Sequence, residues 1–304
     1  MQPAKYRQKS FYNDPKYILW FILLVLFIGL RHEVGGDWKM YIKLTNIYSE
    51  RSIIEVSYLS DPIFHFLVWF GSNIWGGIYL VNIVCASFFS WGVLTFCKYQ
   101  TRPDLALLVA VPYLIIVVSM GYVRQGVGIG LGLVAIIHLL DKKNVKFIGY
   151  IILAACFHKT ALLYFSFALF IKFRNRFLIV FAISIFTSLL AVFFAIEYVV
   201  SQINQNAFVG MESRGTYIRL TLIWIPACVF LLFRKNFNFD ENENIFWTWV
   251  SLSSFAFIIL LLISPQNTIV DRLALYWIPL QLVVLSRIPE FSFSYSFKTP
   301  FFLS

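Results

Sequence analysis

A succession of apolar runs separated by polar loops constrains this chain more than any other feature. The runs cover residues 17–30, 77–97, 105–122, 125–140, 146–158, 160–172, 177–197, 218–233, 245–263 and 273–286. A hydrocarbon core about 30 Å thick is crossed by about 20 helical residues. The expected fold is therefore an all-α, polytopic transmembrane helical bundle of about nine or ten spans. The composition agrees: 60% of residues are apolar and 13% charged, against roughly a quarter charged in soluble domains. Residues 17–286 read as a single integral membrane domain, preceded by a basic segment at 1–16. An atypical Phe/Ser-rich tail without a span follows at 287–304.

Two regions need separate reading. Runs 146–158 and 160–172 are short, and fit either two spans or one broken hairpin around His158. Segment 62–75 is amphipathic, with Phe64, Leu67, Val68 and Phe70 apolar but His65 and Ser72 polar. It reads as a helix lying in the interface or re-entering, capped by Asp61 with Pro62 at its first position.

The basic residues sort by side. Lysines and arginines crowd residues 5–16, 98–102, 142–146, 172–176, 234–235 and 287–298. The positive-inside rule then places these segments and both termini in the cytoplasm. The net charge of +10 reflects this orientation and contact with anionic lipid, so no nucleic-acid partner is expected. Residues 1–16 are basic and polar, and no small-residue cleavage site follows the first run, so no cleaved signal is expected. The four cysteines are dispersed, without C-x-x-C spacing, and neither disulfides nor a metal site are expected.

The opposite face collects different chemistry: Arg31, Asp37, Arg124-Gln125, His158-Lys159, Arg214 and Asp271-Arg272. Ionisable groups at membrane depth are costly and usually functional. Gly35-Gly36 lets the chain turn before Asp37, which is either the cap of the next helix, with Tyr41 one turn on, or a surface carboxylate able to accept a proton. Arg124 opens a span, the wrong end of the dipole for a cation unless an anion binds there. Snorkelling is the alternative. The glycines at 126, 128, 130 and 132 give small-xxx-small spacings that permit close helix contact. His158 sits at a span end as a general base, a phosphate donor or a spacer. His138 reads as a packed core residue, His65 as interfacial and His32 as either. Asp271 and Arg272 fit a local ion pair, which is worth little if exposed.

The strings Gly29-Leu30-Arg31, Val34-Gly35-Gly36-Asp37-Trp38 with Tyr41, Asp61-Pro62, Arg124-Gln125, Phe157-His158-Lys159-Thr160-Ala161 and Asp271-Arg272 with Tyr276 occur in this order. Together they resemble the EpsG branch of the Wzy-like membrane polysaccharide polymerases, over about residues 17–286. The chain departs from the family pattern in having only a basic 16-residue stretch, and not another span, ahead of the run that leads into the Gly-Leu-Arg string, and in its odd tail.

The resemblance implies a C-type glycosyltransferase-like helical architecture. It also implies an enzyme of the bacterial inner membrane that joins polyprenyl-pyrophosphate-linked oligosaccharide units into exopolysaccharide, capsule or O-antigen at the external face. A chain-length regulator and a flippase are its expected partners. On that reading Arg124 and Arg272 bind pyrophosphate with Gln125, and Arg31, Lys159 and Arg214 are further candidates. Asp37 is the preferred base and His158 the alternate, with Tyr41 and Asp271 in support. A cationic cradle can stabilise the departing pyrophosphate, so no metal or other cofactor is expected. The rival functions are a membrane O-acyltransferase for surface sugars and a lipid-linked sugar flippase.

Overall fold

A computed structural model describes residues 14–57, 61–172, 215–263 and 267–296. Among these residues the regular structure is entirely helical, without strands. Run 177–197 and Arg214 lie outside the described residues. Five described helical stretches are long and apolar enough to cross a membrane: Gly77–Tyr99, Val123–Leu140, Thr216–Asn236, Glu241–Leu262 and Asn267–Glu290. Pro15–Gly29, Pro103–Ser119 and Asn144–Phe157 are shorter apolar helices. The protein is an all-α, multi-pass membrane protein.

Contacts divide the chain into two compact units. The N-terminal unit comprises residues 6–99 and 107–165. It contains α1 (Pro15–Gly29), α2 (Trp38–Tyr48), α3 (Ile53–Ser57), α4 (Pro62–Asn73), α5 (Gly77–Tyr99), α7 (Val123–Leu140) and α8 (Asn144–Phe157). Helix α6 (Pro103–Ala110) runs into this unit and continues as a π-helical stretch, Val111–Ser119. Helix α7 is the core of the unit and packs on α5 and α8.

Its glycines explain how closely. A Cβ on Gly130 would lie 2.9 Å from the Phe89 Cα, and one on Gly132 would enter the Tyr164 ring. The glycine-rich tract therefore serves two neighbours, α5 and the segment beyond His158. That segment is a 3₁₀ helix, Lys159–Tyr164, folded back against α7 and α8. The break at His158 is common to both sequence readings, two short spans or one broken hairpin.

Helix α4 lies against α2, α3, α5 and α8. It buries Phe64 and Val68 as expected, but also the polar His65, and leaves Phe66 exposed, so the interfacial reading of His65 is corrected: it sits on the packed face. His65 bonds to the Tyr48 hydroxyl at 2.7 Å. Burial foremost, then the Arg124 charge, pushes its pKa down to about 4, with Asp61 opposing. His65 is thus a neutral packing residue at ordinary pH.

The C-terminal unit comprises residues 1–5, 100–106 and 166–304. Its further described helices are α9 (Phe165–Lys172), α10 (Thr216–Phe233), α11 (Glu241–Ser254), α12 (Ala256–Ile263), α13 (Asn267–Ala274) and α14 (Ile278–Ser296). Helix α11 begins with a capping box in which Asp240 and Glu243 satisfy each other's backbone N–H. Helix α10 packs on α11, α13 and α14, and Trp277 donates to Ser253 at 2.9 Å across the core.

One boundary expectation is corrected here. Residues from 287 were expected to form a tail, yet α14 continues through Ser296 with Pro289 inside it. Arg287 is buried there, its guanidinium 4.2 Å from the Phe239 ring centre. An arginine whose charge is covered by an aromatic face need not end an apolar helix.

Candidate functional site

The N-terminal unit gathers its charged groups around one carboxylate, that of Asp61, which is only 4% exposed. Arg124 Nη1 donates to Asp61 Oδ2 at 3.1 Å, and the Lys159 backbone N–H donates to Oδ1 at 2.8 Å. His158 Nδ1 lies 3.4 Å from Oδ2. Three segments far apart in sequence thus meet on one side chain.

Local conformation frees that side chain. Asp61 is the N-cap residue of α4, with Pro62 at the first helical position, as expected. Its side chain, however, makes no capping bond. The residue is left-handed, with φ +63° and ψ +56°, a conformation that aspartate tolerates better than most residues at a cost of order 1 kcal/mol. The twist turns the carboxylate away from the helix end and towards Arg124. The expected cap is therefore corrected: position 61 supplies the backbone of a cap, and its carboxylate works elsewhere.

Burial by itself would raise the Asp61 pKa. The hydrogen bond and charge of His158, then the Arg124 charge and the Lys159 N–H, outweigh it and hold the group below its ordinary value. Opposite charges and donated hydrogen bonds favour the ionised form. A buried arginine–carboxylate pair stripped of one partner loses about 3–5 kcal/mol.

Arg124 is itself buried, with its guanidinium carbon 5.2 Å from the Phe64 ring centre and 6.0 Å from that of Tyr41. The Tyr41 hydroxyl donates to Asp37 Oδ2 at 3.1 Å and is also bonded to Arg124. Burial, reinforced by Asp37 and opposed by Arg124, pushes the Tyr41 pKa far above its usual value. Asp37 precedes α2 but makes no side-chain capping bond, so the capping reading is corrected here too. A continuous polar path now runs Asp37–Tyr41–Arg124–Asp61–His158. The two candidate bases named from sequence are its two ends.

Arg31 has a different setting. Its Nη1 donates to the Ile28 carbonyl at 3.0 Å, Nη2 to Asn82 Oδ1 at 3.0 Å and Nε to the Val34 carbonyl at 3.3 Å. The fork closes the C-terminus of α1 and ties it to α5. Gln125 is buried in the first turn of α7. Lys159 enters the network through its backbone.

The C-terminal unit holds a second pair, with a buried carboxylate and a partly exposed arginine. Asp271, on α13, was expected to pair with Arg272. Instead Arg219 Nε on α10 bonds to Asp271 Oδ1 at 2.5 Å. Successive side chains of a helix diverge by about 100°, so neighbours on α13 do not face each other, whereas α10 packs alongside. Arg272 is half-buried on α13. Sequence reasoning missed both Arg219 and the full role of Asp61. The signal for Arg219 was its place inside an apolar run, and for Asp61 its buried charge at the start of an amphipathic helix. Among the described residues no group of three or more His, Cys, Asp or Glu side chains is placed to hold a metal ion.

The fold and site define a class: a multi-pass helical membrane protein with a buried arginine–carboxylate–histidine network. The EpsG family model matches residues 16–304, nearly the whole chain, and the chain belongs to this family of Wzy-like polymerases. No curated protein and no solved structure matches it.

Proposed function

We propose that the protein is a polymerase that joins polyprenyl-pyrophosphate-linked oligosaccharide units into exopolysaccharide, capsule or O-antigen. The single observation that carries this reading is the Asp61-centred network, placed in a chain of the polymerase family. In each step a sugar hydroxyl of one unit attacks the anomeric carbon of another. The new glycosidic bond forms as the bond to lipid pyrophosphate breaks, and the hydroxyl proton passes to a base. Arg124 faces the departing pyrophosphate, since a planar guanidinium matches phosphate oxygens in pairs. Gln125, beside it on α7, is proposed to assist it, and Arg272 of the C-terminal unit is a separate pyrophosphate candidate. Arg31 is better suited to shaping the site, because its three kinds of nitrogen all donate within the protein.

The base is proposed to be His158. A buried carboxylate beside Nδ1 orients the ring and stabilises its charged form, leaving Nε2 for the hydroxyl. Asp37, preferred from sequence, is the competing base, held by Tyr41. The protein acts at the external face of the bacterial inner membrane, with both termini in the cytoplasm, as the basic loops suggest. A chain-length regulator and a flippase are its proposed partners.

The test is the lipid-linked glycan profile of cells lacking the protein. Single repeat units accumulating on lipid support the polymerase, whereas loss of an acyl group would assign an acyltransferase. Complementation with Arg124→Lys should restore protein but little polymer, and full polymer from this variant would remove Arg124 from the chemistry. His158→Gln should cost about 100-fold or more in turnover, and Asp37→Asn less. The reverse ranking would make Asp37 the base.

A further inference from the structure

A groove of about 250 Å³ lies in the N-terminal unit between the loop after α1 and the end of the π-helical stretch. Its walls are Val34, Gly35, Gly36 and the residues Ile116, Val117 and Met120–Tyr122. Of these only Tyr122 carries a polar side-chain group, which is too few for a sugar, whose every hydroxyl needs a partner. The volume is below the roughly 300–1,000 Å³ of a site that encloses a whole small molecule. It fits one arm of a larger, apolar ligand.

The glycines make the groove. Gly35, at φ +103°, sits directly on the Met120 carbonyl, where any Cβ would collide, and so fixes the loop on the helix end. Gly36 and Gly121 face open space, with no atom within 4 Å of a Cβ built on either. Side chains at these two positions of the groove wall would meet no neighbour at their Cβ, and the sequence has none there.

Position decides the occupant. Ile116 and Val117 are 44% and 38% exposed, within an apolar helix read as a membrane crossing, so this wall faces the hydrocarbon. At the other end Gly36 adjoins Asp37, and Tyr122 is followed by α7 and Arg124. The lining therefore joins exposed apolar side chains to the two chain segments that carry Asp37 and Arg124. An amphiphile with an apolar chain and an anionic head matches that gradient. Resting on the polymerase reading above, we propose that this groove seats the isoprene units nearest the pyrophosphate of the lipid carrier. Lipid tails are as apolar as these walls, so the groove would act by packing the chain and orienting the head, not by removing it from water.

Two measurements test this on the full-length protein in detergent or proteoliposomes. First, Gly36→Leu and Gly121→Leu, singly and together, are assayed on substrate carried by a long polyprenyl chain and on a two-isoprene analogue. The expected result is a loss of at least about tenfold with the long carrier, whose head is displaced from the reacting position, and a smaller loss with the analogue, whose chain can shift aside. Equal activity of wild type and variants on both substrates overturns the groove. Second, wild-type protein is photolabelled with a polyprenyl phosphate carrying a diazirine near its head. Labelling at Val117 or Met120 that resists competition by a diacyl phospholipid supports the groove. Labelling elsewhere, or equal labelling by a diacyl probe, overturns it without any variant having to fold. A wild-type protein that binds the probe here yet polymerises neither substrate would keep the groove and refute the polymerase reading.

Discussion

The two units each hold an arginine on a buried aspartate, and the pairs differ in how the aspartate is used. Asp271 of the C-terminal unit meets Arg219 between two packed helices, α13 and α10. Asp61 of the N-terminal unit is the N-cap residue of a helix, is held left-handed, and serves Arg124, His158 and a backbone N–H together. A pair between helix flanks fixes the register of those helices. A carboxylate strained out of its capping role and shared among three donors fixes the geometry of other functional groups. Backbone strain of this kind collects where function needs it.

The largest effect should separate the pairs. Asp61→Asn should lower stability by about 3–5 kcal/mol, since it leaves the buried Arg124 guanidinium without its counter-charge, and Asp271→Asn by less, since Arg219 is partly exposed. Polymer formed per folded molecule should fall by about 100-fold or more for Asp61→Asn, and only several-fold for Asp271→Asn. Size-exclusion recovery of the variants, with activity normalised to it, reads both. Equal losses of normalised activity would erase the distinction between the units.

Apolar replacement of both partners sharpens the comparison. Buried ion pairs exchanged for well-packed apolar groups are often neutral or stabilising by about 1–4 kcal/mol. Arg219→Met with Asp271→Leu should recover most of the stability and most of the activity. Arg124→Met with Asp61→Leu should recover stability alone. Thermal unfolding beside polymer assays distinguishes these, and recovered activity in the second double variant would make the Asp61 network a packing device.

Acid gives a smaller effect with a fixed sign. Asp61 is held below its ordinary value of 3.8. Its stabilising contribution is fully present above that value and is lost as pH falls through the lower folded pKa. The unfolding temperature of Asp61→Asn should therefore lie below that of the native protein at pH 7, and the gap should narrow below about pH 4. A gap that stays constant down to pH 3 would mean that the carboxylate gains nothing from its partners.

The smallest effect concerns Lys159, which meets Asp61 through its main chain. Lys159→Ala keeps that N–H and should change turnover by less than about threefold, which corresponds to well under 1 kcal/mol. Lys159→Pro removes the N–H at a first helical position where proline fits, after a residue already extended at φ −156° and ψ 110°. It should cost more than the alanine. A large loss from Lys159→Ala would instead bring the ammonium into contact with substrate.

The sequence by itself determined that this chain is a helical membrane protein. Apolar length and the scarcity of charge leave no other way to satisfy the backbone in lipid, and the ordered polar strings pointed to its family. It also marked the residues able to do chemistry, because an ionisable group at the end of an apolar run is legible without coordinates. Only the tertiary structure decided which of them meet. Asp61 read as a cap because aspartate before proline caps helices, and a left-handed φ is a property of the packed chain, invisible in a dipeptide. Asp271 read as a partner of its neighbour Arg272, yet helical geometry points adjacent side chains apart, and a helix some fifty residues earlier supplies Arg219. Pairings between distant segments follow from helix packing, and hydropathy carries no information about which faces will touch.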